Sequence, residues 1–99
     1  MDALPENVLE IYDRQILLHD DFQKALAVYL NHLVLNDFVK LIQILYRVDV
    51  DEAKLKHILK ENKEQEAGAL MARLVIDRQI EKIAVRETFK ENREEWEDC

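Results

Sequence analysis

The residue types able to hold a metal, move a proton or bind phosphate are all present in this chain, so their spacing decides which chemistry is open to it. His19, His32 and His57 are its three histidines. Each falls on a different expected element, and no two stand at i, i+4, the spacing that gives a helix a metal-binding face. His19-Asp20-Asp21 with His32 comes nearest to a zinc ligand set, but a helix cap beside a surface polar group accounts for the same residues. Asp49-Val50-Asp51-Glu52 opens like a calcium loop, yet it lacks the later ligands and the central glycine. It reads instead as a helix stop followed by a helix start. Glu6/Glu10, Glu61/Glu64 and Asp77/Glu81 have the spacing that helical metal-dependent hydrolases use. With 21 acidic residues in 99 such pairs arise by chance, and no two form matched inward-facing motifs. The chain has no serine to act as a nucleophile. Its one cysteine, Cys99, follows Glu97-Asp98, whose charges oppose thiolate formation. No cofactor is expected.

Two charged groups remain. Lys54, Lys56, Lys60 and Lys63 gather on one expected helix, where they would hold phosphate or an RNA backbone or simply form a solvated face. The formal net charge of −7 repels polyanions, so DNA is not an expected partner. Arg73, Asp77 and Arg78 interrupt an apolar segment; Arg73 and Asp77 are one helical turn apart, and Arg47 and Asp49 are placed to meet them across helices. A semi-buried ion network that fixes helix register is the favoured reading, with a polar binding pocket as the alternative.

The elements that position these residues are helices. One Gly and one Pro in 99 residues leave too few turn formers for an all-β chain. Pro5 suits a first helical position, and Leu9, Tyr12 and Ile16 recur at helical spacing, predicting a helix over 5–18. Asp20 is the expected cap of a second helix, in which Phe22, Ala25, Leu26, Tyr29, Leu30 and Leu33 form the cleanest apolar stripe. The stripe changes phase at Asn36, a candidate cap. A third helix then carries Phe38, Leu41, Ile42, Leu45 and Val48 to about Arg47. Asp51 caps a short fourth helix with Leu55, Ile58 and Leu59 inward. From Asn62 to about Arg93 only Gly68 interrupts, at a cost of about 1 kcal/mol relative to Ala.

These elements amount to an all-α fold: a single domain over 1–99 built as a small bundle of four to five helices with a long C-terminal helix, its last residues, 90–99, an acidic tail. A mass of 11.8 kDa allows one core. The longest apolar run, Ala25–Leu30, is far short of the roughly 20 residues that cross a bilayer. Met1-Asp2-Ala3-Leu4-Pro5-Glu6 has neither the basic nor the apolar region of a secretory signal, so a cytoplasmic protein without a membrane partner is expected. About 28 residues of last helix make a rod of about 42 Å, longer than a compact chain of this size is wide, which is roughly 33 Å.

The runs Tyr29-Leu30-Asn31-His32-Leu33, Asp37-Phe38 with Leu41-Ile42-Gln43-Ile44-Leu45-Tyr46-Arg47-Val48-Asp49-Val50, and Leu74-Val75-Ile76-Asp77-Arg78-Gln79-Ile80-Glu81-Lys82 resemble a group of short, uncharacterised helical proteins from bacteria. The resemblance covers about two thirds of the chain. It implies a bacterial cytosolic helical protein and transfers no functional residue.

The expected role is a non-catalytic protein–protein interaction module acting as a homodimer, with an unidentified protein as the other partner to consider. Ile76, Ile80, Ile83, Phe89 and Trp96 are the interface candidates, the three isoleucines being intramolecular core on the plainer view. A small metal-dependent hydrolase using helix carboxylates and a phosphate or RNA binder through the Lys54–Lys63 face are the alternatives.

Overall fold

In the computed structural model the backbone is described for residues 4–61 and 64–97, and side chains for 4–61 and 66–89. The described residues form a 3-10 helix, Pro5–Glu10, and five α-helices: α1 (Arg14–Leu17), α2 (Asp20–Asn36), α3 (Phe38–Val48), α4 (Glu52–Glu61) and α5 (Glu64–Glu97). The all-α bundle with a long last helix is the architecture expected from the sequence.

The first helix differs from expectation. The stretch 5–18 is not continuous: Ile11 and Asp13 are extended, and the Asp13 carboxylate accepts a hydrogen bond from the Gln15 N–H at 2.9 Å, starting α1 afresh. A short polar side chain that captures a nearby backbone donor competes with helix continuation. The carbonyls of Val8 and Ile11 take hydrogen bonds from the Gln79 side chain.

The other helix boundaries fall within a residue or so of the expected ones, except at the end of α5. His19 caps α2, its Nδ1 accepting from the Asp21 N–H at 3.2 Å, so Asp20 and Asp21 occupy the first turn and favour its positive end. Asp37 both ends α2 and caps α3, its carboxylate accepting from the Lys40 N–H at 3.1 Å. Asn36 instead donates back to the His32 carbonyl at 3.0 Å. Asp49 closes α3 in the left-handed conformation, φ 67°, with the Val50 N–H reaching back to the Leu45 carbonyl. Asp51 then caps α4 through the Lys54 N–H. The helix expected to end near Arg93 continues to Glu97.

The core lies mainly between α2 and α5. Phe22, Leu26, Leu30 and Leu33 face Ala67, Met71, Ala72, Val75, Ile76 and Ile83, and α3 closes one side with Leu41, Ile44, Leu45 and Val48. Gly68 is buried where the Asn31 carboxamide fills the space a Cβ would take, so the one glycine is a packing requirement between α2 and α5. The 34 residues of α5 make a rod of about 51 Å. It sets the long dimension of a molecule 54 × 32 × 20 Å, whose radius of gyration is 15.3 Å against roughly 13 Å for a compact chain of this length.

Candidate interaction site

The far end of α5 is tied to the body by two contacts. Arg14 forks onto Glu87, Nη1 to Oε1 at 2.8 Å and Nη2 to Oε2 at 3.2 Å, and the Arg86 guanidinium lies 4.4 Å over the Tyr12 ring. The hydrogen bond from Arg14 holds the Glu87 carboxyl below its ordinary range, and the same bond raises Arg14. Beyond Glu87 the described side chains are Thr88, whose hydroxyl donates to the Ala84 carbonyl of its own helix, and Phe89, which is exposed. Val85 and Phe89, one turn apart, stand 65% and 67% exposed and form a shallow apolar face with Ala84 and Thr88.

A second apolar surface lies on α3. This helix is apolar over more than half its circumference: Leu41, Ile44, Leu45 and Val48 face inward, while Phe38, Val39, Ile42 and Tyr46 remain exposed, Tyr46 at 85%. Ile42, Leu45 and Tyr46 form one wall of a groove whose other wall is Val50, Leu55 and Leu59. The groove holds about 310 Å³, and Asp49, Glu52 and Lys56 stand at its edge.

The candidate residues separate into distinct places. Ile76 and Ile83 are buried in the chain's own core, and Ile80 packs partly against it. These three isoleucines therefore serve intramolecular packing, because the face of α5 that bears them turns toward the chain's own core. Phe89 is free to meet another molecule. The side chain of Trp96 lies outside the described residues.

The expected network of Arg47, Asp49, Arg73, Asp77 and Arg78 divides in two. Arg73, 81% exposed, pairs with Asp77 at 3.9 Å on open surface. Arg78 bridges Glu81 at 2.9 Å and Asp49 at 3.4 Å. The hydrogen bond to Glu81 and then the charge of Asp49 raise Arg78. Arg47 contributes its backbone, its carbonyl accepting from Lys82 Nζ at 3.2 Å. Arg78 thus ties α5 to the end of α3, and the network sits at the surface because the αL turn at Asp49 carries that carboxylate outward. A hollow of about 720 Å³ beside it is lined by Asp49, Asp51, Glu52, Asp77 and Glu81 together with Lys54 and Arg78. Among the described residues no three His, Cys, Asp or Glu side chains converge as metal ligands. The lysines of α4 part in the same way: Lys54 lines this hollow, Lys56 the apolar groove. Lys63 and Cys99 lie outside the described residues.

One residue escaped the sequence reading. Gln79 is 1% exposed and donates to the Val8 carbonyl at 2.9 Å and the Ile11 carbonyl at 3.4 Å. Its Oε1 is buried with no hydrogen-bond partner. The signal was available: Met71, Val75, Gln79 and Ile83 form an unbroken i, i+4 series, and a polar residue inside such a series marks a buried hydrogen bond.

No helix among the described residues is long and apolar enough to cross a membrane. No protein-family model, curated protein or solved structure matches the chain.

Proposed function

We propose that this chain is a non-catalytic, cytoplasmic interaction module that self-associates as a homodimer, with the distal part of α5 in the interface. The resemblance to short bacterial helical proteins belongs to the same proposal and carries no residue role with it. The observation that supports it most is area. The chain exposes 7394 Å², whereas a compact monomer of this mass exposes about 5,900 Å². The surplus of about 1,500 Å² is larger than the roughly 800 Å² that each partner of a standard interface contributes. Val85 and Phe89 are exposed near the far end of α5, and covering them removes apolar side chains worth about 1.5–3 kcal/mol each from water.

Trp96 is the chain's single tryptophan and reports on this segment without labelling. Its emission is measured from high micromolar to low nanomolar protein. A shift toward longer wavelength on dilution, as the indole becomes hydrated, is the expected outcome. A solvent-like emission at every concentration removes the distal helix from any interface.

A further inference from the structure

Residues 4–12 are held to the bundle at few points. Val8, 1% exposed, is the buried side chain of this stretch; Leu9 and Ile11 pack partly against the core, and Leu4 and Tyr12 remain exposed. The 3-10 helix lies against α2 and α3. Along one flank a hollow of about 410 Å³ separates Glu6, Asn7 and Glu10 from Arg47 and Lys82, and none of the described ion pairs spans it. The stretch ends where Ile11 and Asp13 are extended. The Asp13 carboxylate caps α1 through the Gln15 N–H, and Leu17, 0% exposed, anchors that helix in the core. Cap and anchor both belong to the far side of the break, so α1 keeps them whether or not residues 4–12 are in place.

The fastening of this stretch is polar. Gln79 donates from Nε2 to the carbonyls of Val8 and Ile11, while its Oε1 is buried without a partner. Release of the segment exchanges the two hydrogen bonds for bonds to water and hydrates the stranded oxygen, so the closed state gains little net from them. The Arg86 guanidinium over Tyr12 adds a contact at the surface, where such a pair contributes least. A segment with one buried side chain, tied by bonds that water can replace, opens at a lower free energy than the core beneath it.

We propose that residues 4–12 form a strap that opens as a unit about Asp13 while α1 to α5 stay folded. Opening uncovers the Gln79 carboxamide and the apolar sides of α2 and α3 beneath Val8. Closed, the strap withholds from solvent and from other chains an apolar surface with an amide donor at its floor. The device is independent of self-association and makes no use of the end of α5. One arrangement accounts for the break in a stretch of unbroken helical periodicity and for the half-satisfied carboxamide in the core.

Thiol labelling of the native protein tests it. In a Cys99→Ala background, one protein carries Val8→Cys under the strap and another carries Val75→Cys in α5, at 1% and 0% exposure. Each is exposed to an aromatic disulfide reagent over a series of urea concentrations below the unfolding transition. The expected result is that Val8→Cys reacts at least about a hundredfold faster than Val75→Cys. Its rate should hardly change with urea, because opening the strap exposes little surface, whereas the Val75→Cys rate climbs steeply. Amide exchange of the unsubstituted chain locates the hinge and does not depend on either cysteine variant folding. The Ile11 N–H, bonded to the Val8 carbonyl, should open with the strap, and the Leu18 N–H, bonded to the Arg14 carbonyl, should stay protected with α2. Equal rates for the two thiols with the same steep urea dependence overturn the strap. So does an Ile11 amide as protected as those of α2, which reduces the motion to fraying of the first residues. Loss of Leu18 protection together with Ile11 overturns the hinge at Asp13.

Discussion

Replacing Gln79 by Glu changes an N–H₂ donor to an acceptor with almost no change of shape, at a site 1% exposed and facing two carbonyl oxygens. Ionised, the new carboxylate would sit unpaired against the Val8 and Ile11 carbonyls, so the folded state keeps it protonated and its pKa rises. The cost at pH 7 is capped by the free energy of protonating an acid of ordinary pKa, 1.36 × (7 − 4.3), or about 3.7 kcal/mol. Losing one of the two hydrogen bonds adds about 1 kcal/mol. A total of roughly 4–5 kcal/mol is a large part of the 5–15 kcal/mol of a typical domain and lowers Tm by about 15 °C or more. The sign with pH follows from linkage. Between the unfolded pKa and the raised folded one, only the folded state holds the proton, so stability relative to wild type falls by about 1.36 kcal/mol per pH unit as pH rises above about 4.3. Urea unfolding followed by circular dichroism between pH 4 and pH 7.5 measures this. Gln79→Leu is the control: it loses the same donor but also removes the unpartnered Oε1, and its net effect should stay within about 1 kcal/mol with no pH dependence. A Gln79→Glu protein whose deficit is small and constant across that range would refute the placement of this side chain.

Three further substitutions probe other joints. Gly68→Ala forces the Asn31 carboxamide to move, and overpacking of about 1–3 kcal/mol outweighs the gain of about 1 kcal/mol in helix propensity; adding Asn31→Ala should recover part of the loss in a double-mutant cycle of thermal melts. Asp37→Ala removes the cap of α3 and should cost about 1 kcal/mol by urea unfolding. The Glu87 carboxyl is held below its ordinary range by Arg14, so its contribution is present above the ordinary carboxylate pKa and is lost as pH falls through the lowered one. Glu87→Gln should accordingly reduce stability at neutral pH and flatten the acid limb of a melting-temperature profile.

Much of this fold was legible because it is built from amphipathic helices with local stop signals. The α2 stripe, the phase slip before α3, the Asp51 cap and the excess length of α5 all follow from periodicity and short-range hydrogen bonding, which a linear sequence records directly. The break after Glu10 was not legible. Leu9, Tyr12 and Ile16 keep helical spacing through it, and the partner that makes the break tolerable, Gln79, is some seventy positions away. The interface candidates fared unevenly for a related reason. An apolar periodicity identifies a face but not the molecule that covers it, so Ile76 and Ile83, which are buried in the core, read the same as Phe89, which meets solvent. The exposed half of α3 was hidden by its own regularity, since Phe38, Ile42 and Tyr46 extend the apolar arc of a helix whose other half is core.

Self-association through the end of α5 is the claim on which the rest depends, and sedimentation equilibrium of the wild-type chain beside Phe89→Asp tests it most directly. Phe89 is exposed, so the substitution leaves the monomer folded. The expected result is a wild-type mass approaching 2 × 11.8 = 23.6 kDa at micromolar concentration, with the variant remaining near 11.8 kDa. A wild-type mass of 11.8 kDa at every concentration, or a variant that associates as well as the wild type, would contradict it.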